Sequence, residues 1–391
     1  MQPLKGITVI TLEQAIAAPF TSRQLADLGA RVIKIERPNV GDFARGYDDK
    51  ANGLASHFVW TNRSKESLTL DVKAEAGKDI LEKLLAKADV FLHNLAPGAV
   101  DRLGFSAERL RKAYPRLIIC PISGYGKGGP YQDKKAYDLL IQAEAGLLSV
   151  TGTPDTPSKV GISAADIASG MYAYSGILTA LLARHQTSEG TVVEVSMLEA
   201  LGEWMGFPMY YALNGDTPKR NGASHASIAP YGPYATGDGK MILLGVQNER
   251  EWHHFCNIVL KNPTLAEDDR FAGNGSRVAN RTAMDEAINA TFSQHSKDEI
   301  MSRLEQANIA NAEIRTMSDF LDHPQLAARQ RWQMVDSAVG PLPSLRPPAT
   351  IAGVEPTCEP IPSLGEHTES ILQELEFTPD MIDQLKKANV V

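Results

Sequence analysis

A chain of 391 residues with 43% hydrophobic and 22% charged positions lies near the globular average, which excludes disordered, collagen-like and coiled-coil chains and allows two to three domains. Its 39 Lys and Arg against 47 Asp and Glu leave a formal charge of −8, which speaks against general nucleic-acid binding while leaving local cations for one anionic ligand. Cys120, Cys256 and Cys358 are too scattered for a disulfide framework and form no CxxC pair, so a cytoplasmic location and no metal are expected.

Residues 1–20 carry Lys5 and Glu13 around a short apolar run, which is no signal peptide, and the apolar stretch 177–183 is too short to span a membrane. Strands are predicted at 7–12, 32–36, 68–72, 90–93, 117–123 and 191–195. Amphipathic stretches such as 74–88, with Ile80, Leu81, Leu84 and Leu85 at helical spacing, separate them, so the chain reads as parallel α/β. Ligands bind such sheets beyond the carboxyl ends of the strands. From about residue 201 the texture changes to a loop at 214–232, a turn at 237–239, a strand at 241–246, helices at 249–260, 278–293 and 297–306, and a strand at 312–316. The last fifty residues begin Pro-rich, from Pro341 to Pro362, and end in helices at 370–375 and 379–387; prolines favour extended backbone, so an arm without its own core is expected. The expected division is 1–200, a small domain at 201–325 and a return arm at 326–391.

The run Gly124-Tyr125-Gly126-Lys127-Gly128-Gly129 follows a strand, but Pro130 stands where a helix should open and the spacing is not GxGxxG, so a substrate loop is expected rather than a phosphate cradle. P-loop, hydrolase-elbow and zincin motifs are absent from the sequence. His253 and His254 are adjacent and point to different helix faces, which makes a shared metal unsuitable. In the segment from Gly161 to Met171 a single carboxylate, Asp166, sits among small and apolar residues ahead of a long apolar helix. It reads either as an ordinary first-turn residue or as a nucleophile held by helix-end N–H groups, with room for a thioester to approach.

The chain resembles class III CoA-transferases, the formyl-CoA transferase and carnitine CoA-transferase group. The blocks that carry the resemblance are Leu4-Lys5-Gly6-Ile7, the run from Asp27 to Pro38, Gly41-Asp42, Leu70-Asp71-Val72-Lys73, the run from Asn94 to Gly104, Ala136-Tyr137-Asp138 and Leu364-Gly365-Glu366-His367-Thr368. The resemblance implies a Rossmann-like α/β large domain built from both chain ends, a smaller inserted α/β domain and an interlocked homodimer. It also implies that Asp166 is the catalytic nucleophile. Arg37, Leu70, Lys73, Asn94, Leu95, Arg102 and Lys135 then match the contacts to coenzyme A, which is a substrate rather than a permanent cofactor. Tyr137 lies near the thioester, and Asp138 organises the site by hydrogen bonding or by pairing with a cation.

Two departures point away from formyl and oxalyl substrates: Ile16 replaces a glutamine, and the glycine-run loop is missing from 221–231. The replacement, Asn221-Gly222-Ala223-Ser224-His225-Ala226-Ser227, is similar to the region found in itaconate and mesaconyl-CoA transferases. Ser224, Ser227 and His225, with Arg45 or Arg220, are the expected partners for the second carboxylate of a short dicarboxylate such as succinate, itaconate, mesaconate or citramalate. Two rival readings stand: a 2-methylacyl-CoA racemase, which places a histidine where Tyr137 stands, and a non-catalytic CoA-binding protein, which would have lost its nucleophile.

Overall fold

The computed structural model describes residues 2–391, and the chain divides into two units. The first comprises the residues up to Gly146 with Val160–Phe207 and Leu326–Val391, and the second Leu147–Lys159 with Pro208–Gln325.

In the first unit, strands β1 (Thr8–Leu12), β2 (Arg31–Glu36), β3 (Glu66–Thr69), β4 (Val90–His93), β5 (Ile118–Ser123) and β6 (Val195–Ser196) form one sheet in the order 3-2-1-4-5-6. Every pairing is parallel, with Val9 opposite both Val32 and Val90 and Leu92 opposite Cys120. These residues are buried, as in sheets covered on both faces, which explains why the strands read as apolar runs. The α/β expectation holds, and the strand order is that of a doubly wound nucleotide-binding sheet.

β3 starts two residues before its predicted position because polar side chains take part in the edge: Arg31 forks onto Glu66 at 2.7 and 2.8 Å, and the Ser67 hydroxyl donates to Glu36 at 2.7 Å. The Pro-rich arm is more structured than expected. β10 (Trp332–Val335) and β11 (Leu342–Leu345) pair antiparallel, and Val335, Leu342 and Ile361 pack with Ala44, Ala55 and Phe58. The helices Thr368–Glu374 and Pro379–Lys387 then insert Ile371, Leu372 and Ile382 into the core around Ile33, Leu68 and Phe91.

The Ala164–Thr187 helix packs against the Ala17–Asp27 helix through a close approach at Gly170. A Cβ there would lie 2.8 Å from the Ala17 carbonyl oxygen, and the Thr21 hydroxyl donates to the Gly170 carbonyl at 3.0 Å. That contact sits one helical turn after Asp166 and anchors the start of its helix.

The second unit holds an antiparallel sheet of β7 (Tyr231–Ala235), β8 (Met241–Gly245) and β9 (Ala310–Glu313). The turn expected at 237–239 closes the β7–β8 hairpin, with Ala235 opposite Met241. Trp252, Phe255, Phe271 and Phe292 fill its core, and the helix predicted at 249–260 changes after His254 into a π turn over Phe255–Val259. Among the described residues no helix is long and apolar enough to cross a membrane.

Candidate active site

A cavity of about 1340 Å3 opens where the parallel strands of the first unit end, bounded by Leu12, Glu36, Leu70, Asn94 and Ser123. Its place beyond the carboxyl ends of the strands follows from topology, because each strand hands over to a loop there. Asp166, Asp138, Tyr137 and Lys135 line it, as do Arg37, Lys73, Leu95 and Arg102. The structure therefore brings ten of the predicted residues to one cavity, all from the first unit.

Asp166 stands in the first turn of the Ala164–Thr187 helix, but the amides of that turn do not hold its own carboxylate. Asp138, at the start of the Asp138–Glu144 helix, accepts from the N–H of Ala165 at 2.8 Å and of Asp166 at 3.2 Å through Oδ1, and from Gln142 Nε2 at 2.6 Å through Oδ2. Ser163, in the N-cap position, makes no side-chain cap bond, so Asp138 supplies the missing acceptor from another element. This corrects the expectation that helix-end N–H groups grip the nucleophile: the acceptor is the neighbouring aspartate. Asp138 pairs with no cation among the described residues; its carboxylate is engaged by hydrogen bonds alone.

Asp166 itself has neither an ion pair nor a side-chain hydrogen bond among the described residues. Burial, and secondarily the negative charge of Asp138, push its carboxyl up to about 7. A carboxylate left without stabilising donors keeps a high affinity for protons and for carbonyl carbon, the condition a nucleophile needs.

The cations divide into two groups. Arg37, Lys73, Arg102 and Lys135 are exposed at the cavity and have no acidic partner among the described residues. Arg37 lies over the Phe43 ring at 4.7 Å and donates to the Gly41 carbonyl. Arg45, expected at a substrate carboxylate, lies elsewhere: its fork grips Glu36 at 2.8 Å twice, it donates to the Pro362 carbonyl and covers the Phe58 ring at 3.8 Å, and it does not line the cavity. Glu36 is buried, and a buried carboxylate requires such a partner. The Asn94 amide is also engaged, accepting from the Gln14 N–H and donating to the Gln14 carbonyl, both at 2.8 Å; it shapes the wall through the loop it holds.

Ser224 and His225 belong to the second unit. The His225 ring stacks on Tyr231 with centroids 5.2 Å apart, and its Nδ1 accepts from the Ser227 N–H at 3.2 Å. Arg220 donates to the carbonyls of Thr153 and Pro154.

Sequence reasoning missed the wall formed by Gln14, Ala15, Tyr47 and His57. Ala15 has φ 62°, a conformation rare for a residue with a side chain. Its N–H is held at 2.9 Å by Asp42 Oδ1, which also accepts from Ala44, while Oδ2 meets the fully buried Lys34 ammonium at 2.5 Å. Tyr47 meets the His57 ring edge-on, with centroids 5.6 Å apart. The signal available in the sequence was the pair of charges in β2, Lys34 and Glu36, because buried charges in a strand must have partners nearby.

Residues 4–368 match the profile of CoA-transferase family III. The chain belongs to that family. This CoA-transferase is 33% identical over 385 residues to a succinate–glutarate CoA-transferase of Agrobacterium fabrum, covering 96% of each chain. It is 31% identical to a formyl-CoA:oxalate CoA-transferase of Shigella sonnei, covering 100% of this chain and 99% of that one. A CAIB/BAIF family protein from Brucella suis superposes with a TM-score of 0.84 at 33% identity, covering 95% of this chain and 99% of that one.

Proposed function

We propose that this CoA-transferase moves coenzyme A between an acyl-CoA and a short dicarboxylic acid, with Asp166 as the nucleophile. The observation that carries the reading is the meeting in one cavity of a carboxylate without side-chain partners and four cations that have no acidic partner among the described residues. The Asp166 carboxylate attacks the thioester carbonyl, the C–S bond breaks, and an acyl-aspartyl anhydride and CoA thiolate form. The thiolate attacks the aspartyl carbonyl, releasing the donor acid and leaving an aspartyl-CoA thioester. The acceptor carboxylate then repeats the two steps in reverse, so thioester energy is conserved without ATP or a metal. Arg37, Lys73, Arg102 and Lys135 suit the phosphates of coenzyme A as charge-assisted donors. Leu70 and Leu95 supply apolar wall.

Short dicarboxylates are supported by the succinate and glutarate named for the Agrobacterium relative, and by the Ile16 and 221–231 departures from the formyl-CoA transferase pattern. Itaconate, mesaconate and citramalate belong to the same chemical class, with Ser224 and His225 the proposed partners of the second carboxylate. The homodimer and the cytoplasmic location complete the proposal; the latter suits three unpaired thiols. A screen of succinyl-CoA and formyl-CoA against glutarate, itaconate, mesaconate, citramalate and oxalate, followed by mass spectrometry of the CoA esters, tests it. Succinyl-CoA with a four- or five-carbon diacid is expected to exceed formyl-CoA with oxalate in kcat/KM by at least about tenfold, a discrimination of roughly 1.4 kcal/mol; the opposite preference overturns the substrate reading. Turnover of a 2-methylacyl-CoA in heavy water is expected to leave the α-carbon unlabelled, because Tyr137 lacks the base a racemase needs. Labelling faster than CoA exchange would establish the racemase instead.

Arg37→Ala and Arg102→Ala are each expected to weaken acyl-CoA binding by about 5- to 50-fold by calorimetry, since each removes a charge-assisted contact of about 1 to 2 kcal/mol. Adduct formation at saturation should fall less, because these cations act at a distance from the reacting carbonyl. Unchanged affinity in both variants contradicts the assigned grip.

A further inference from the structure

Gln142 lies on the Asp138–Glu144 helix and is fully buried, yet it lines no part of the cavity. A buried amide is costly unless both its ends are partnered. Here Nε2 donates to Asp138 Oδ2 at 2.6 Å and to the Ile162 carbonyl at 3.3 Å, while Oε1 accepts from the Val160 N–H at 3.2 Å. One side chain therefore ties the segment 160–162, which leads into the nucleophile's helix, to the aspartate that caps that helix.

Resting on the assignment of Asp166 as nucleophile, we propose that Gln142 is a positioning residue: it locks the Asp138 carboxylate onto the amides of Ala165 and Asp166, fixing both the start of the helix and the charge beside the nucleophile.

The residue type follows from the geometry. Asp138 has no cation to balance it among the described residues, and its carboxylate is held by three N–H donors, two from the helix end and one from Gln142. Glutamate in place of glutamine would set carboxylate against carboxylate at 2.6 Å. Methionine would fill the volume but lose all three of these bonds; the Ile162 carbonyl still accepts from the Ala164 N–H at 2.9 Å, whereas Asp138 Oδ2 loses the donor that holds it. Freed from Gln142, the Asp138 carboxylate turns away from the helix end, and its repulsion of Asp166 weakens. The titratable groups in electrostatic reach of Asp166 among the described residues are Asp138 and the phenol of Tyr47. Of these, Asp138 is the one that raises the proton affinity of Asp166.

The test is a double-mutant cycle of Gln142→Met and Asp138→Asn, read as the pH profile of kcat/KM with the best substrate pair from the acceptor screen. In the native enzyme the acid limb is expected near pH 7, where Asp166 loses its proton. Each single variant is expected to lose about 10- to 100-fold in kcat/KM, as misplaced reacting groups do, and to move the acid limb to lower pH by roughly half a unit or more. In the Asp138→Asn background, Gln142→Met should cost less than about threefold further, because its route to the nucleophile is already cut. Additive losses with an unmoved limb overturn the proposal and leave Gln142 a packing residue. Should Gln142→Met fold poorly, Gln142→Glu keeps the shape. Its activity relative to native should rise as pH falls and the new carboxyl gains a proton to donate to Asp138, and a flat ratio overturns the proposal equally. Asp166→Ala runs alongside: activity surviving in it strikes the nucleophile assignment, whereas the cycle strikes Gln142 alone.

Discussion

Asp166→Ala is expected to lose CoA exchange by on the order of 10³-fold or more, with the circular dichroism and elution volume of the native protein. Of the other carboxylates at the cavity, Asp138 is tied by three N–H groups, Glu36 is gripped by Arg45 and Asp71 accepts from the Lys73 N–H at 3.0 Å, so each is already engaged where Asp166 is not. Activity above a few per cent of native overturns the assignment. The same residue gives a stability signature with a definite sign. Its carboxyl is raised from an ordinary value of 3.8 to about 7 in the folded chain, so the folded state holds its proton more tightly than the unfolded state. That contribution is complete below about pH 4 and is lost as pH rises through 7. Asp166→Asn, which never ionises, should therefore gain stability over native more at pH 8 than at pH 5, read from urea midpoints at the two pH values. An equal difference at both would mean that Asp166 ionises in the fold as it does in water.

Lys34→Met is expected to destabilise the fold by about 3 to 5 kcal/mol, the range for removing one partner of a buried ion pair. Glu13, Lys34, Asp42 and Lys65 form a network shut off from water, with Lys34 at 2.5 Å from Asp42 and 3.5 Å from Glu13, and Lys65 at 2.7 Å from Glu13. Burial opposes the charge on Lys34, but Asp42 and Glu13 outweigh it and raise its proton affinity. Burial pulls the Lys65 ammonium down to about 7, so it is poorly suited to balance two carboxylates alone. Removing Lys34 leaves Glu13 and Asp42 sharing that one cation. Because Asp42 also holds Ala15 and Ala44, the cavity wall should loosen, and KM should rise in whatever folded enzyme remains. Lys73→Met, at an exposed and unpaired cation, should change the urea midpoint by the equivalent of about 0.5 kcal/mol or less. Equal stability of the two variants contradicts the role given to the network.

The parts of the molecule legible in the sequence are those set by local pattern. Strand 90–93 and helices 297–306 and 379–387 lie at their predicted bounds, because their apolar periodicity and caps coincide. Ser296 caps the second of these segments and Thr378, followed by Pro379, the third. The β10–β11 hairpin was not legible: Pro343 sits within β11 opposite Met334, and a proline on a two-stranded ribbon looks in sequence like any extended segment. The strand expected at 312–316 lies at Ala310–Glu313, where pairing with β8 rather than local composition sets the register.

In the site, residue types were readable and their partners were not. Asp166 stands out as a carboxylate among small and apolar residues and Asp138 through the block it shares with Tyr137, but that one caps the helix of the other depends on a contact across 28 positions. The charge of Arg45 suits the second carboxylate of a substrate, but its partner in the fold is Glu36, nine positions before it, and the constraint is the burial of Glu36 in the sheet. Tyr47 and His57 carry no motif; one follows the short turn Phe43–Gly46 and the other opens the helix Ser56–Asn62, and only the packing of that segment brings them to the cavity.

The covalent route through Asp166 is tested most directly by trapping. Native enzyme incubated with succinyl-CoA, without acceptor, is treated with hydroxylamine, digested and mapped by mass spectrometry. An aspartyl hydroxamate at Asp166, absent without the CoA ester, is the predicted result, since both the anhydride and the aspartyl-CoA thioester react with hydroxylamine. A hydroxamate at Asp138 or another carboxylate, or none while exchange proceeds at full rate, would contradict it.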